Sequence, residues 1–176
     1  YIIISKIFKK ASFTILGDVN QNINPYYKHE TLEDLMQIFP CSKYIELKKT
    51  YRSSKEIIDY TNKILGLNHV TAIRRENSKP VIYRSNISNL KKTILDDLNV
   101  LSLEYLKMAI IAKDHYIAAK LYNTIKNDIN VSLINDNTKG INSDLVIIPA
   151  YLAKGLEFDC VIIYNDPLSK YKRNEK

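Results

Sequence analysis

Glycine is scarce in this chain, with four residues in 176, at Gly17, Gly66, Gly140 and Gly155. A phosphate-cradling loop of the form G-x-x-x-x-G-K-[ST] needs two glycines followed by Lys and then Ser or Thr. None of the four glycines is followed that way, so the chain has no P-loop of its own. Cysteine is scarcer still: Cys41 and Cys160 stand far apart without metal-ligand spacing, and Cys160 lies in an apolar run. Both are expected as reduced thiols of a cytoplasmic protein. His29, His69 and His115 are scattered among polar neighbours, and no pair has the spacing of metal ligands, so no metal is expected on them. No apolar run approaches the roughly 20 residues that cross a bilayer, so no membrane insertion and no membrane partner are expected. The opening YIIISKIFKK has neither a starting methionine nor a basic leader followed by small residues, so it reads as the start of a fragment within an element, not as a signal peptide.

What the chain has in quantity is positive charge. Its net charge is +7, its pI is near 9.2, and its lysines are interleaved with 13 tyrosines. Such a surface can meet a polyanion and stack on bases. Abundant Lys, Asn and Ile would equally clothe any solvated surface, so charge alone does not choose. The 45% hydrophobic fraction is ordinary for a globular protein, and the length suffices for one good core and part of another.

Residues 1–10 suggest the end of a helix, and SFTILG (12–17) a strand running into the turn-rich DVNQNINPYY. A helix is expected from Thr31 to Phe39, with Leu32, Leu35, Met36 and Phe39 at helical spacing and Pro40 ending it. KYIELKKTYRSSKEIIDYTNKILG then reads as strand, loop and helix. Ser53 and Glu56 have capping-box spacing, Ile57, Ile58, Thr61, Ile64 and Leu65 line one face, and Gly66 suits a C-terminal cap. From Pro80 the pattern is regular: strand VIYR, helix 87–104, strand MAIIA, helix 114–127, then strands VSLIN, DLVIIP and CVIIY. Ile87, Leu90, Ile94, Leu98 and Leu101 repeat at helical spacing, as do Ala118, Leu121, Tyr122 and Ile125. Strands alternating with crossover helices make an α/β fold with a largely parallel sheet covered on both faces.

Three polar stretches sit at strand ends, where open α/β sheets place ligands. In TILGDVNQNI, Gln21 carries an amide that can donate to a phosphate oxygen while accepting another bond. On the plainer reading, Asp18 and Asn20 only shape a turn. In LKKTYRSS, Arg52 comes just before a helix N-terminus, where backbone N–H groups and a guanidinium fork both favour an anion, and Tyr51 offers a ring to a flat heteroaromatic. The plainer alternative makes Tyr51 a core residue and Arg52 a surface charge. In AYLAKGLEFDCVII, Lys154, Gly155, Glu157 and Asp159 interrupt two buried-looking runs. Glu157 could accept hydroxyl bonds there, or Gly155 could simply allow a tight turn.

In this order, GDVNQ, TYRSS and AKGLEFD resemble motifs III, IV and V of superfamily 1 helicases of the UvrD, Rep and PcrA type. The resemblance extends from about Phe13 to Tyr164. It implies a RecA-like (P-loop NTPase-type) parallel sheet with helices on both faces, in a second helicase domain without its own Walker A. Residues 1–40 would be the tail of the first RecA-like domain with motif III, and 41–176 the second domain with motifs IV and V, ending before motif VI. By the same resemblance Gln21 contacts the ATP γ-phosphate, Tyr51 stacks on adenine and Arg52 stabilises charge on the transferring phosphoryl group, making Gln21 and Arg52 the catalytic pair. Gly155 and Glu157 approach the nucleotide, with Glu157 on the ribose. Lys154 lies near the nucleotide or the DNA backbone, and Tyr26 or Tyr27 supplies a base-stacking ring. The cofactor is ATP with Mg2+, whose ligands belong to a part of the enzyme outside this chain, and the partner is DNA.

Two departures qualify the likeness. Walker B and motif VI are missing along with the P-loop, so the chain is expected to be inactive alone, as a fragment of an ATP-dependent DNA helicase or translocase. Where processive helicases read Thr-x-His-Ser, this chain has Pro149, Ala150, Tyr151 and Leu152. IPAYLAKGLEFD instead looks like the HelD-like branch, ATPases that free RNA polymerase from nucleic acid. A degenerate module that binds nucleic acid or polymerase without hydrolysis is the remaining alternative.

Overall fold

The computed structural model describes residues 2–18, 33, 35–66, 70–73, 82 and 89–165. The chain divides into two compact units, Tyr1–Tyr83 and Arg84–Lys176. This division is one of compactness. The boundary after residue 40 expected from the motifs concerns motif content and lies inside the first unit. The architecture is mixed α/β, with parallel strands flanked by helices.

In the first unit, α1 spans Ile2–Ile7 and α2 spans Leu35–Ile38. β1 (Lys49–Thr50) and β2 (Thr71–Ala72) pair in parallel, with α3 (Lys55–Leu65) as the crossover between them. Parallel neighbours need such a crossover, and the ladder is extended by Thr71 N–H to the Lys48 carbonyl at 2.8 Å and Ile73 N–H to the Thr50 carbonyl at 2.9 Å. Gly66 closes α3 at φ 66, the left-handed conformation expected of it. The start of α3 differs from expectation. Its N-cap is Ser54, not Ser53, and the Ser54 side chain makes no cap bond although its hydroxyl is buried with no hydrogen-bond partner among the described residues. The apolar face of α3 is not buried either: Ile57, Ile64 and Leu65 are exposed. An amphipathic stripe buries itself only against a second apolar surface, and among the described residues none covers this one. Residues 12–17 form no strand, because a strand exists through its neighbour's hydrogen bonds and none of the described residues pairs with them. The expected strand VIYR lies outside the described residues except for Ile82, which is not in a strand.

The second unit follows the sequence pattern closely. It contains α4 (Leu90–Leu101), β3 (Met108–Ala112), α5 (His115–Ile125), β4 (Ser132–Leu133), β5 (Leu145–Pro149), α6 (Ala150–Ala153) and β6 (Cys160–Tyr164). Both long helices begin with a side-chain cap: Lys92 N–H donates to Asn89 Oδ1 at 3.1 Å, and Ile117 N–H to Asp114 Oδ1 at 2.9 Å. The strands form one parallel sheet in the order β4-β5-β3-β6, with Ile110 facing Ile147 on one side and Ile162 on the other. Alternation along the strands sends residues to two faces. Met108, Ile110, Leu145 and Ile147 pack with Ile94 and Leu98 of α4 and with Ile117, Ala118, Leu121 and Ile125 of α5. Ala109, Val146 and Ile148 point to the opposite face, where Ile134, Leu152, Ala153 and Phe158 cover them.

The expectation of helices on both faces thus holds unequally. The two long helices share one face, and the other carries only the single turn of α6 and the segment after it. β6 shows the result, because its outward residues Val161 and Ile163 are exposed while Cys160, Ile162 and Tyr164 are half-buried. No helix among the described residues is long and apolar enough to cross a membrane.

Candidate functional site

Each unit carries part of the candidate residue set. In the first, Tyr51 and Arg52 occupy the bend between β1 and α3. Thr50 shapes that bend, since its Oγ1 accepts the Arg52 backbone N–H at 3.3 Å. Tyr51 is 72% exposed, which removes the plainer reading of it as a core residue. Arg52 is exposed as well, so a tyrosine ring and a guanidinium stand together just before the N-terminus of an 11-residue helix. In the next turn Lys55 is tied to Asp59, and that bond followed by the charge of Asp59 raises the Lys55 ammonium above its usual range. Gln21, Tyr26 and Tyr27 lie outside the described residues.

In the second unit the segment between β5 and β6 crosses the thinly covered face of the sheet from edge to edge. It leaves the carboxyl end of β5 as α6, anchors Leu152, Ala153 and Phe158 against Val146 and Ile148, and reaches the amino ends of the strands before β6 begins. The far end is pinned by three bonds. Asp159 N–H donates to the Lys107 carbonyl at 2.8 Å, Lys107 N–H donates to Asp159 Oδ2 at 2.9 Å, and Cys160 N–H reaches the same carbonyl at 3.3 Å. Asp159 therefore ties two strand starts together and serves as structure.

Gly155 turns the segment at φ 84, and Leu156 N–H closes the turn on the Ala153 carbonyl at 3.1 Å. Nothing lies within 4 Å of a Cβ added to Gly155, so its requirement for glycine is one of backbone conformation and not of space. Gly155→Ala is expected to lower stability by about 1–2 kcal/mol through left-handed strain. Gly140, which has open space and no positive φ, is the control, and Gly140→Ala should leave stability equal or raise it by about 0.4–1 kcal/mol. Thermal melts of the two variants compare them directly. Equal melting temperatures would remove the conformational role of Gly155.

Lys154 and Glu157 flank this turn with exposed side chains. Glu157 borders a hollow of about 120 Å³ with Lys107, Ile141, Ser143, Leu156 and Phe158. Pockets that enclose a ligand of nucleotide size run to roughly 300–1,000 Å³. The hollow is too small for that, and Glu157 can contact such a ligand only along its flank. At the opposite edge, Tyr151 Oη donates to Asp136 Oδ2 at 2.9 Å. This bond, then desolvation, then the charge of Asp136 hold the Tyr151 phenol above its usual range.

Sequence reasoning missed Lys107, Ser143 and Asp136. Asp136 is separated from Tyr151 by 15 residues and Lys107 from Asp159 by 52, and no local pattern signals pairs that only sheet registry brings together. Among the described residues no group of three or more His, Cys, Asp or Glu is placed to hold a metal ion. A scan against protein-family models finds no match, and a search of curated proteins finds none either.

Proposed function

We propose that the chain is part of an ATP-dependent motor of the UvrD-like superfamily, with a RecA-like second domain, and that it contributes residues to an ATP site and a nucleic-acid surface. The observation that carries this reading is the pinned segment between two parallel strands, in which a left-handed Gly155 separates an exposed Lys154 from an exposed Glu157. Solvated charges alone would not require anchorage at both ends or a glycine at a strained angle. Support also comes from Tyr51 and Arg52, which are exposed side by side at a helix start as an adenine platform and a phosphoryl-charge partner need to be.

Each residue has a role that follows from its chemistry. Arg52 is permanently charged and planar, and stabilises negative charge as a phosphoryl group transfers. Tyr51 offers a π-face to the base, and the Glu157 carboxylate accepts from ribose hydroxyls. Gln21 senses the γ-phosphate, while Lys154 with Tyr26 or Tyr27 meets the nucleic acid. The P-loop and the Mg2+ ligands belong to polypeptide outside these 176 residues, and hydrolysis requires them.

Tyr151 favours a second reading, in which the output is release of RNA polymerase, as in the HelD-like branch. Its hydroxyl is already bonded within the chain to Asp136, where a processive helicase carries a histidine that couples to DNA. One experiment on the longer protein that carries the P-loop separates these outcomes. ATP turnover, duplex unwinding and release of stalled RNA polymerase are measured side by side. Turnover with unwinding supports the helicase, turnover with release alone supports the polymerase-directed ATPase, and no turnover despite an intact P-loop overturns both in favour of a binding module.

A further inference from the structure

The segment from β5 to β6 begins with α6, whose four residues run from Ala150 to Ala153. One turn of helix gains too few backbone bonds to offset the entropy of nucleating it. Its N-cap is Pro149, whose ring has no oxygen to accept from the first N–H groups. The place of α6 is therefore set by what it touches. Leu152 and Ala153 pack against Val146 and Ile148, but apolar contact is non-directional and does not fix an orientation. Tyr151 supplies the direction, because its Oη donates to Asp136 Oδ2 at 2.9 Å.

Asp136 is itself fixed in place. The ladder between β4 and β5 extends to Ile134, whose N–H donates to the Ile147 carbonyl at 2.9 Å. Asn135 then closes a tight turn around Asp136: its Oδ1 accepts Asn137 N–H at 3.0 Å, and its carbonyl accepts Thr138 N–H at 3.0 Å. Asp136 thus follows the end of the β4 ladder as Tyr151 follows the end of β5, and their bond joins neighbouring strands at the carboxyl edge of the sheet. Asp159 and Lys107 make the matching joint at the amino edge. Between the two joints lie Lys154, Gly155 and Glu157. We infer that Tyr151 is a positioning residue, which through Asp136 sets where α6 ends and so where Lys154 and Glu157 meet a nucleotide. This role rests on the reading of the turn as part of an ATP site, whereas the joint itself does not.

Three variants test it. Tyr151→Phe keeps the ring and removes the donor, Asp136→Ala removes the acceptor, and Asp136→Asn keeps an acceptor in its side-chain carbonyl. Hydrogen exchange of the full 176-residue chain, read by mass spectrometry over residues 150–158, reports on the joint. Exchange should quicken by about threefold to tenfold in Tyr151→Phe and Asp136→Ala, as for an exposed bond to a charged group, and stay near the parent's in Asp136→Asn. In the longer protein that carries the P-loop, the first two variants should raise the KM for ATP by about threefold to tenfold. Their kcat should stay within about twofold of the parent's, because a ribose contact is made equally in the ground and transition states. The double variant Tyr151→Phe/Asp136→Ala should be no worse than either single one, since each removes the same bond. Unchanged exchange in Tyr151→Phe overturns the joint, whatever happens to ATP. Faster exchange with an unchanged KM, or with losses that add in the double variant, overturns the positioning role and leaves the motor reading to the Arg52 variant. A parent protein without ATP turnover overturns the motor reading and this role with it.

Discussion

Replacing Ile147 with alanine is expected to cost the second unit about 2–5 kcal/mol, the range for removing a buried isoleucine and leaving part of the cavity behind. Ile147 is fully buried in β5, whose five residues are all buried. It stands beside Ile110 in the parallel ladder and packs in the cluster that α5 covers. β5 has a strand on each side, so the vacancy cannot be filled by a shift toward solvent. Against a total stability of about 5–15 kcal/mol, this is a large share. Urea unfolding should show a lower midpoint with an unchanged slope, as expected when stability falls without a change in the surface exposed. Ile163→Ala removes the same side chain from an outward position on β6, 74% exposed, and should change stability by no more than about 0.5 kcal/mol. If Ile147→Ala proves too unstable to purify, Ile147→Val should still cost about 0.5–1.5 kcal/mol. Equal costs at positions 147 and 163 would contradict the assignment of the two faces.

Arg52→Ala carries the largest expected effect on activity. In the longer protein that holds the P-loop, ATP turnover should fall by about 10³–10⁵, the contribution of an arginine that stabilises the transferring phosphoryl group. That is about 4–7 kcal/mol at the transition state. Arg52 is exposed, and the bond that shapes its bend is made to Thr50 by the Arg52 backbone N–H, which alanine retains. A thermal melt of the variant that matches the parent establishes that folding is kept, and a loss of turnover is then read as chemistry. Arg52→Lys should rescue little, because an ammonium is a point charge without the planar fork. A variant that hydrolyses ATP within tenfold of the parent would end the role assigned to Arg52. The isolated chain, lacking the P-loop, is expected to show no turnover.

The second unit was legible in the sequence because its signals are local. MAIIA, DLVIIP and CVIIY are continuous apolar runs, and all three became paired strands of one parallel sheet. Ile94 and Leu98 fall on the buried side of α4, as their spacing required. The helix expected from residue 114 is α5, and Asp114 proves to be its N-cap. Gly66 and Gly155 adopt the left-handed angles that made glycine the natural residue there.

The first unit was less legible, for a physical reason. SFTILG has the composition of a strand, but a strand is completed by another segment's N–H and carbonyl groups, and no described residue supplies them. The stripe on α3 has helical spacing, and Lys55–Leu65 is a helix. What covers a stripe is decided by three-dimensional neighbours, and Ile57 and Ile64 remain exposed. The cap at α3 is Ser54, although only Ser53 has a glutamate three residues on, because capping depends on the backbone angles of one residue and not on the spacing alone.

By itself, then, the sequence determined periodicity and the type of the main strands and long helices in residues 89–165, though not the short helix α6, and also the glycine turn and the identity of the polar side chains at strand ends. Those properties reside in neighbouring residues along the chain. Only the tertiary structure decided that both long helices share one face, that the segment after β5 runs to the amino edge, that Asp159 pairs with the backbone of Lys107, and that Tyr151 meets Asp136. Each of these depends on strand order and register. These join residues 15 to 52 positions apart, a distance over which no local pattern carries information.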